Sequence, residues 1–185
     1  GSSLRGMNVG LPRAFLSAEV EEEVKEAVLG TAKVFEEMGC VVREVSLPSL
    51  RFALAAYYLL SSAEAAANLS RYYGALSTVS RREGFGDEVK KRILLGNYAL
   101  TAGYYDQYYR KAQAVRSRLR AEFGELFRSC DFLLTPTAPT AAYPVEEKSA
   151  DPLKKYTADL YTVPASLAGL PALSFPAGRT AAGLP

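Results

Sequence analysis

Apolar residues at Val20, Val24, Ala27, Val28, Thr31, Phe35 and Met38 recur at the spacing of a single helix face. The pattern predicts a helix from about Ala18 to Met38. Glu19, Glu21, Glu22 and Glu23 crowd its start, where unpaired N–H groups and the helix dipole favour negative charge. Gly39 stands where a left-handed residue closes a helix. On both sides the period shortens to that of strands, over Gly6 to Leu11 before Pro12 and over Cys40 to Leu47 before Pro48. Strand, helix and strand within roughly 45 residues form the smallest crossover unit of a parallel sheet.

The middle of the chain, residues 49–130, reads as helix-rich. Phe52 to about Arg71 is rich in alanine, and Asp87 to about Leu100 carries an apolar stripe of Val89, Ile93 and Leu100. Ala102 to about Ser129 places Tyr108, Ala112, Val115, Leu119, Phe123 and Leu126 along one side. Phe132 to Leu134 and Ala172 to Phe175 are strand-like. Between them, Asp151 as N-cap and Pro152 in the first turn announce a short helix that carries Asp159 and ends before Pro164. The expected fold is a single α/β domain over residues 1–185, a mixed sheet flanked by helices, with residues 1–5 as a linker or tag remnant.

Composition narrows the function. The 22 Lys and Arg against 20 Asp and Glu leave +2, with the signs mixed along the chain, so no direct nucleic-acid partner is expected. Arg110, Lys111, Arg116, Arg118 and Arg120 spread around their helix as a solvated surface would. Cys40 and Cys130 belong to no CxxC, which suits a reducing compartment and a cytoplasmic protein. Apolar runs such as Phe52 to Leu60 have about half the length a bilayer demands, so no membrane partner is expected. Histidine is absent, which excludes a Ser-His-Asp triad and His-containing zinc sites. Gly6-Met7-Asn8-Val9-Gly10 lacks the third glycine of a dinucleotide loop. Neither cofactor nor metal is expected.

Candidate chemistry rests on few residues. Thr135-Pro136-Thr137-Ala138-Pro139 directly after Phe132-Leu133-Leu134 forces a strand to end in a rigid, non-pairing loop, either a pocket wall or simply a turn. Counting about 100° per residue places Arg92 at the edge of its helix's apolar stripe, beside Gly96 and Ala99. A guanidinium there, with small neighbours that leave room, is either a fork for a carboxylate ligand or an ordinary surface arginine. Arg92 and Asp159 together supply what a zwitterionic α-amino acid requires, a cation for its carboxylate and an anion for its ammonium group. A salt bridge between the two is the plainer alternative.

Three segments, Glu83-Gly84-Phe85-Gly86-Asp87-Glu88-Val89-Lys90-Lys91-Arg92-Ile93, Ala102-Gly103-Tyr104-Tyr105-Asp106-Gln107-Tyr108-Tyr109 with Lys111-Ala112-Gln113, and Leu133 to Thr140, resemble the A subunits of the bacterial aspartyl/glutamyl-tRNA amidotransferases. Those subunits belong to the amidase signature hydrolases, and the likeness runs from Gly6 to Pro185. The resemblance implies an amidase signature fold and glutamine hydrolysis, with ammonia passed on to amidate glutamate or aspartate mischarged on tRNA. It implies B and C subunits as partners. It also implies that Arg92 and Asp159 grip the substrate glutamine and that Tyr57 contacts it.

The family's serine nucleophile, its second serine in a cis peptide and its lysine base have no matching motif in this sequence. Ser61-Ser62, the nearest serine pair, falls in the alanine-rich helix, where no oxyanion hole stands beside a hydroxyl. No catalytic residue is assigned, and the chain alone is expected to be inactive, a trimmed portion that carries the substrate-binding side. A non-catalytic amino-acid-binding module and an engineered structural piece are the alternatives. Sheet edges left open favour self-association.

Overall fold

The computed structural model describes residues 4–16, 19–70, 84–144 and 158–185. Strand β1, Asn8–Pro12, lies between β2, Val41–Val45, and β3, Phe132–Leu133, and both neighbours run parallel to it. Helix α1, Glu22–Glu37, makes the β1 to β2 crossover. Next come α2, Ala53–Ser70, and α3, Asp87–Leu100, then a π-helical turn, Tyr105–Tyr109, which leads directly into α4, Arg110–Leu126. The short helix α5, Val163–Ala168, completes the order. Among the described residues no helix is long and apolar enough to cross a membrane.

The chain forms two compact units, Gly1–Arg51 with Leu119–Pro185, and Phe52–Arg118. The first holds the sheet. Val9, Leu11, Val28, Ala32, Cys40 and Leu134 form its core, with Phe132 edge-on to Phe35 at 5.2 Å between ring centroids. Alternation on β1 is lost because both faces are covered, as expected of a central parallel strand. Asp131 clips the strand starts: its N–H donates to the Asn8 carbonyl at 2.8 Å while its Oδ2 accepts from the Asn8 N–H at 2.7 Å. Glu122 accepts from both the Ser49 hydroxyl, at 2.6 Å, and the Ser49 N–H, at 3.1 Å, tying the 3-10 turn after β2 to α4.

The second unit is helical and closely packed. Gly96 of α3 lies against the Ser62 carbonyl of α2, so close that a Cβ at Gly96 would overlap it and press the Ala66 Cβ at 2.9 Å. Ala56, Ser62, Ala63, Ala66 and Ala99 are buried around that contact. Arg116 on α4 reaches Glu64 on α2 at 3.9 Å.

Several predicted elements differ. Helix α1 starts at Glu22, and Met38 at its end is half exposed while Ala32 takes the buried place. The buried positions of α3 are Gly96 and Ala99, not Val89, Ile93 and Leu100, because so close a backbone approach admits only small residues. The single helix expected over Ala102 to Ser129 is broken near its start: Gly103 takes φ +91°, and the π turn follows. Tyr108 is exposed, while Ala112, Leu119, Phe123 and Leu126 are buried as the stripe predicts. Ala172 to Phe175 is no strand, since among the described residues its backbone joins no ladder, and Leu173 is 89% exposed. Pro164 opens α5 instead of ending a helix, because a proline in the first turn has no N–H to leave unpaired. Asp151 and Pro152 fall outside the described residues.

Candidate functional site

Arg92 owes its placement to α3. Gly86 precedes the helix in extended conformation, Asp87 and Glu88 fill its first turn, and Arg92 follows Glu88 by one turn. The Glu88 carboxylate accepts from Arg92 Nε at 3.2 Å. Across the seam, the guanidinium carbon lies 5.6 Å from the centre of the Tyr58 ring, within the range of a cation–π contact. Tyr57 packs edge-on to Tyr58 at 5.4 Å between centroids. Partial burial pulls the Arg92 pKa down, but the Glu88 hydrogen bond and charge, helped by both tyrosines, outweigh it and the net movement is upward.

The guanidinium is thus a permanent cation held on two sides. Its Nε serves Glu88 and its face serves Tyr58, while its terminal amino groups carry no hydrogen bond among the described residues. Those two groups are the end of the fork that takes a carboxylate in bidentate fashion. The carboxylate that Arg92 does hold comes from its own helix, four residues back.

Asp159 belongs to the other compact unit, so the structure brings together Arg92 and Tyr57 in one unit and sets Asp159 in the second. It lies on the turn before α5, and its carbonyl accepts from the N–H groups of Thr162, at 3.3 Å, and Val163, at 3.1 Å. Beside this turn Tyr161 is buried edge-on against Phe15 at 5.4 Å. Gly169 closes α5 at φ +73°, with the Leu170 N–H donating to the Ala165 carbonyl at 3.0 Å. The Leu167-Ala168-Gly169-Leu170-Pro171 run is therefore a helix cap with a stop behind it.

The Thr-Pro loop does line a cavity. A cleft of about 660 Å³ in the sheet-bearing unit runs between α1 and the segments on either side of Thr137 and Ser174, whose hydroxyls meet at 3.2 Å. Neither Arg92 nor Tyr57 lines it. Ser174, which lines the cleft, carried no signal in the sequence beyond a strand-like neighbourhood. Ser61 and Ser62 lie inside α2 with buried hydroxyls that have no partner among the described residues. The amide groups around them are engaged in the helix, so nothing there would stabilise an oxyanion.

The fold is α/β, a small parallel sheet in one unit and packed helices in the other, and comparison with known sequences gives its family. The sequence profile of the Amidase family matches residues 1–185. The chain belongs to that family. It is 45% identical over 196 aligned residues to the A subunit of glutamyl-tRNA(Gln) amidotransferase from Oceanobacillus iheyensis, covering 98% of this chain and 40% of that protein. It is 44% identical to the same subunit of Geobacter sp., covering 100% and 41%. Among solved structures, the A subunit from Thermotoga maritima superposes with a TM-score of 0.69 at 34% identity over 90% of this chain and 34% of that one. A crystal structure described as an amidase gives 0.74 at 28% identity, over 100% and 41%. The chain spans about two fifths of the length of the curated relatives it matches.

Proposed function

We propose that this chain is the substrate-binding side of the A subunit of a glutamine-hydrolysing amidotransferase. Arg92 takes the α-carboxylate of glutamine through its terminal amino groups, Asp159 takes the ammonium group, and Tyr57 contacts the ligand beside Arg92. The reading is carried by the Arg92 guanidinium, fixed by Glu88 and Tyr58, within a chain 44–46% identical to such subunits over its length. Ammonia freed from glutamine then serves an amidation of glutamate or aspartate on tRNA, in the cytoplasm, with B and C subunits completing the enzyme. The sequence carries no Ser-Ser-Lys machinery, so the chain by itself is an amino-acid binder and hydrolyses nothing.

Calorimetric titration with glutamine tests the site. A charge-assisted hydrogen bond contributes about 1.5 to 3 kcal/mol, so Arg92→Ala is expected to weaken binding roughly ten- to a hundredfold. Asp159→Asn is expected to act in the same direction. Unchanged affinity in Arg92→Ala excludes the site. Steady ammonia release by the pure chain, blocked by a fluorophosphonate serine label, would contradict the inactive reading.

A further inference from the structure

Helix α3 buries Gly96 and Ala99 and turns larger apolar residues outward: Leu94 is 69% exposed, Leu95 40% and Tyr98 48%. Tyr98 continues this face into the π-helical turn, stacked on Tyr104 at 4.3 Å between centroids and 6.2 Å from Tyr108. Residues three and four apart on a helix are neighbours, so Leu94, Leu95 and Tyr98 adjoin one another, and the three tyrosine rings extend them into one surface. Stray exposed leucines need no explanation, whereas a contiguous run of exposed leucine and stacked tyrosine marks an interaction site.

Charge says what kind of partner fits. Phe52–Arg118 has ten Lys and Arg against five Asp and Glu, a net +5, while the rest of the chain has twelve against fifteen, a net −3. Lys91, one turn before Leu94 and Leu95, and Lys111, one turn after Tyr108, frame the tyrosine face. Both are exposed, and neither is in an ion pair among the described residues. The nearby acids Asp87, Glu88 and Asp106 are already matched to Lys90, Arg92 and Arg110.

From this we infer that the tyrosine face of the helical unit, framed by Lys91 and Lys111, docks an acidic segment of a partner subunit. The inference rests on the functional reading proposed above. The segment lays apolar side chains on Leu94 and the tyrosines and directs carboxylates at the two lysines. Tyrosines that are stacked in advance lose little freedom on binding, and tyrosine is enriched among the residues that dominate interface energies.

The test immobilises the 185-residue chain and titrates it separately with purified B and C subunits of Bacillus cereus, whose A subunit is 46% identical. One of the two is expected to bind. Tyr98→Ser with Tyr108→Ser is expected to weaken it about tenfold or more, and Tyr98→Phe, which keeps the ring, much less. Lys91→Glu with Lys111→Glu is expected to weaken it roughly fivefold at low salt, and the difference should shrink as salt screens the exposed charges. Circular dichroism confirms that each variant keeps its helices. Equal binding by parent and tyrosine variants overturns the surface and leaves the functional reading standing. Binding of neither subunit by the parent overturns both the surface and the proposed place of the chain in such an enzyme, whereas glutamine titration still judges Arg92. A parent chain that self-associates through these tyrosines, and loses it in the variants, gives the face to a second copy and also overturns the proposal.

Discussion

The sheet-bearing unit and the helical unit solve the same packing problem in opposite ways. In the first, Val9, Leu11, Val28 and Leu134 form a buried cluster of large side chains. In the second, Gly96 admits the Ser62 carbonyl to its Cα, alanines are buried beside them, and Leu94, Leu95 and Tyr98 of α3 remain outside. The contrast teaches that a helix pair can be held by backbone proximity and dispersion while its large residues serve other purposes. It also explains the position of Arg92, one turn from Gly96 and over Tyr58, which is itself one turn from Ser62.

The most severe way to break the comparison is a single methyl group. In Gly96→Ala the new Cβ meets backbone, which has no rotamer to escape into, so unit-level destabilisation of about 3 kcal/mol or more is expected. Gly10→Ala is the matched change in the sheet. There the added carbon overlaps Leu133 Cδ2 and lies 3.2 Å from Cys130 Sγ and 3.3 Å from Val45 Cγ1, all side-chain atoms that can give way, so about 1 kcal/mol is expected. Urea unfolding followed by far-ultraviolet circular dichroism ranks the two. Equal midpoints, or a Gly96→Ala chain as stable as the parent, would show that the helical seam is not held by backbone approach.

Ser62 sharpens the same point with the opposite sign. Its side chain is fully buried and its hydroxyl has no partner among the described residues, close to Gly96 and the buried Ala63 and Ala66. An unsatisfied buried hydroxyl carries a desolvation penalty, and alanine is the better helix former, so Ser62→Ala is expected to stabilise the chain by about 1 kcal/mol. A loss of stability in the same urea experiment would mean that the hydroxyl has a partner after all.

How far the sequence carried the reading depends on whether a feature is local. The bounds of α3 were legible because acidic residues after Gly86 and a regular apolar spacing mark a helix without outside help. The face it buries was not, since the choice of Gly96 over Ile93 was made by α2. The break at Gly103 escaped notice because Tyr104 with Tyr108 and Tyr105 with Tyr109 continue a helical spacing through it. Ala172 to Phe175 has the look of a strand, but a ladder needs a neighbour and among the described residues none pairs with it. At the site, the place of Arg92 one turn before Gly96 could be counted from the sequence, whereas the Tyr58 ring beneath it and the assignment of Asp159 to the other unit are tertiary facts.

The mildest expected effect lies on the outward face of α3, where the two units differ in chemistry as well as packing. The Tyr104 hydroxyl beside Tyr98, with smaller help from desolvation and the neighbouring tyrosine charges, pushes the Tyr98 pKa up to about 12. The ordinary tyrosine value is about 10. A pKa raised by folding favours the neutral hydroxyl, so any stabilisation from this environment is complete below the unfolded value of about 10 and is lost as pH rises through about 12. Absorbance near 295 nm over an alkaline titration is therefore expected to show one tyrosine that ionises late. In Tyr104→Phe the partner hydroxyl is gone while the stacked ring remains, so the late phase should move back toward the ordinary range. A late phase that persists in Tyr104→Phe would place its origin elsewhere among the twelve tyrosines.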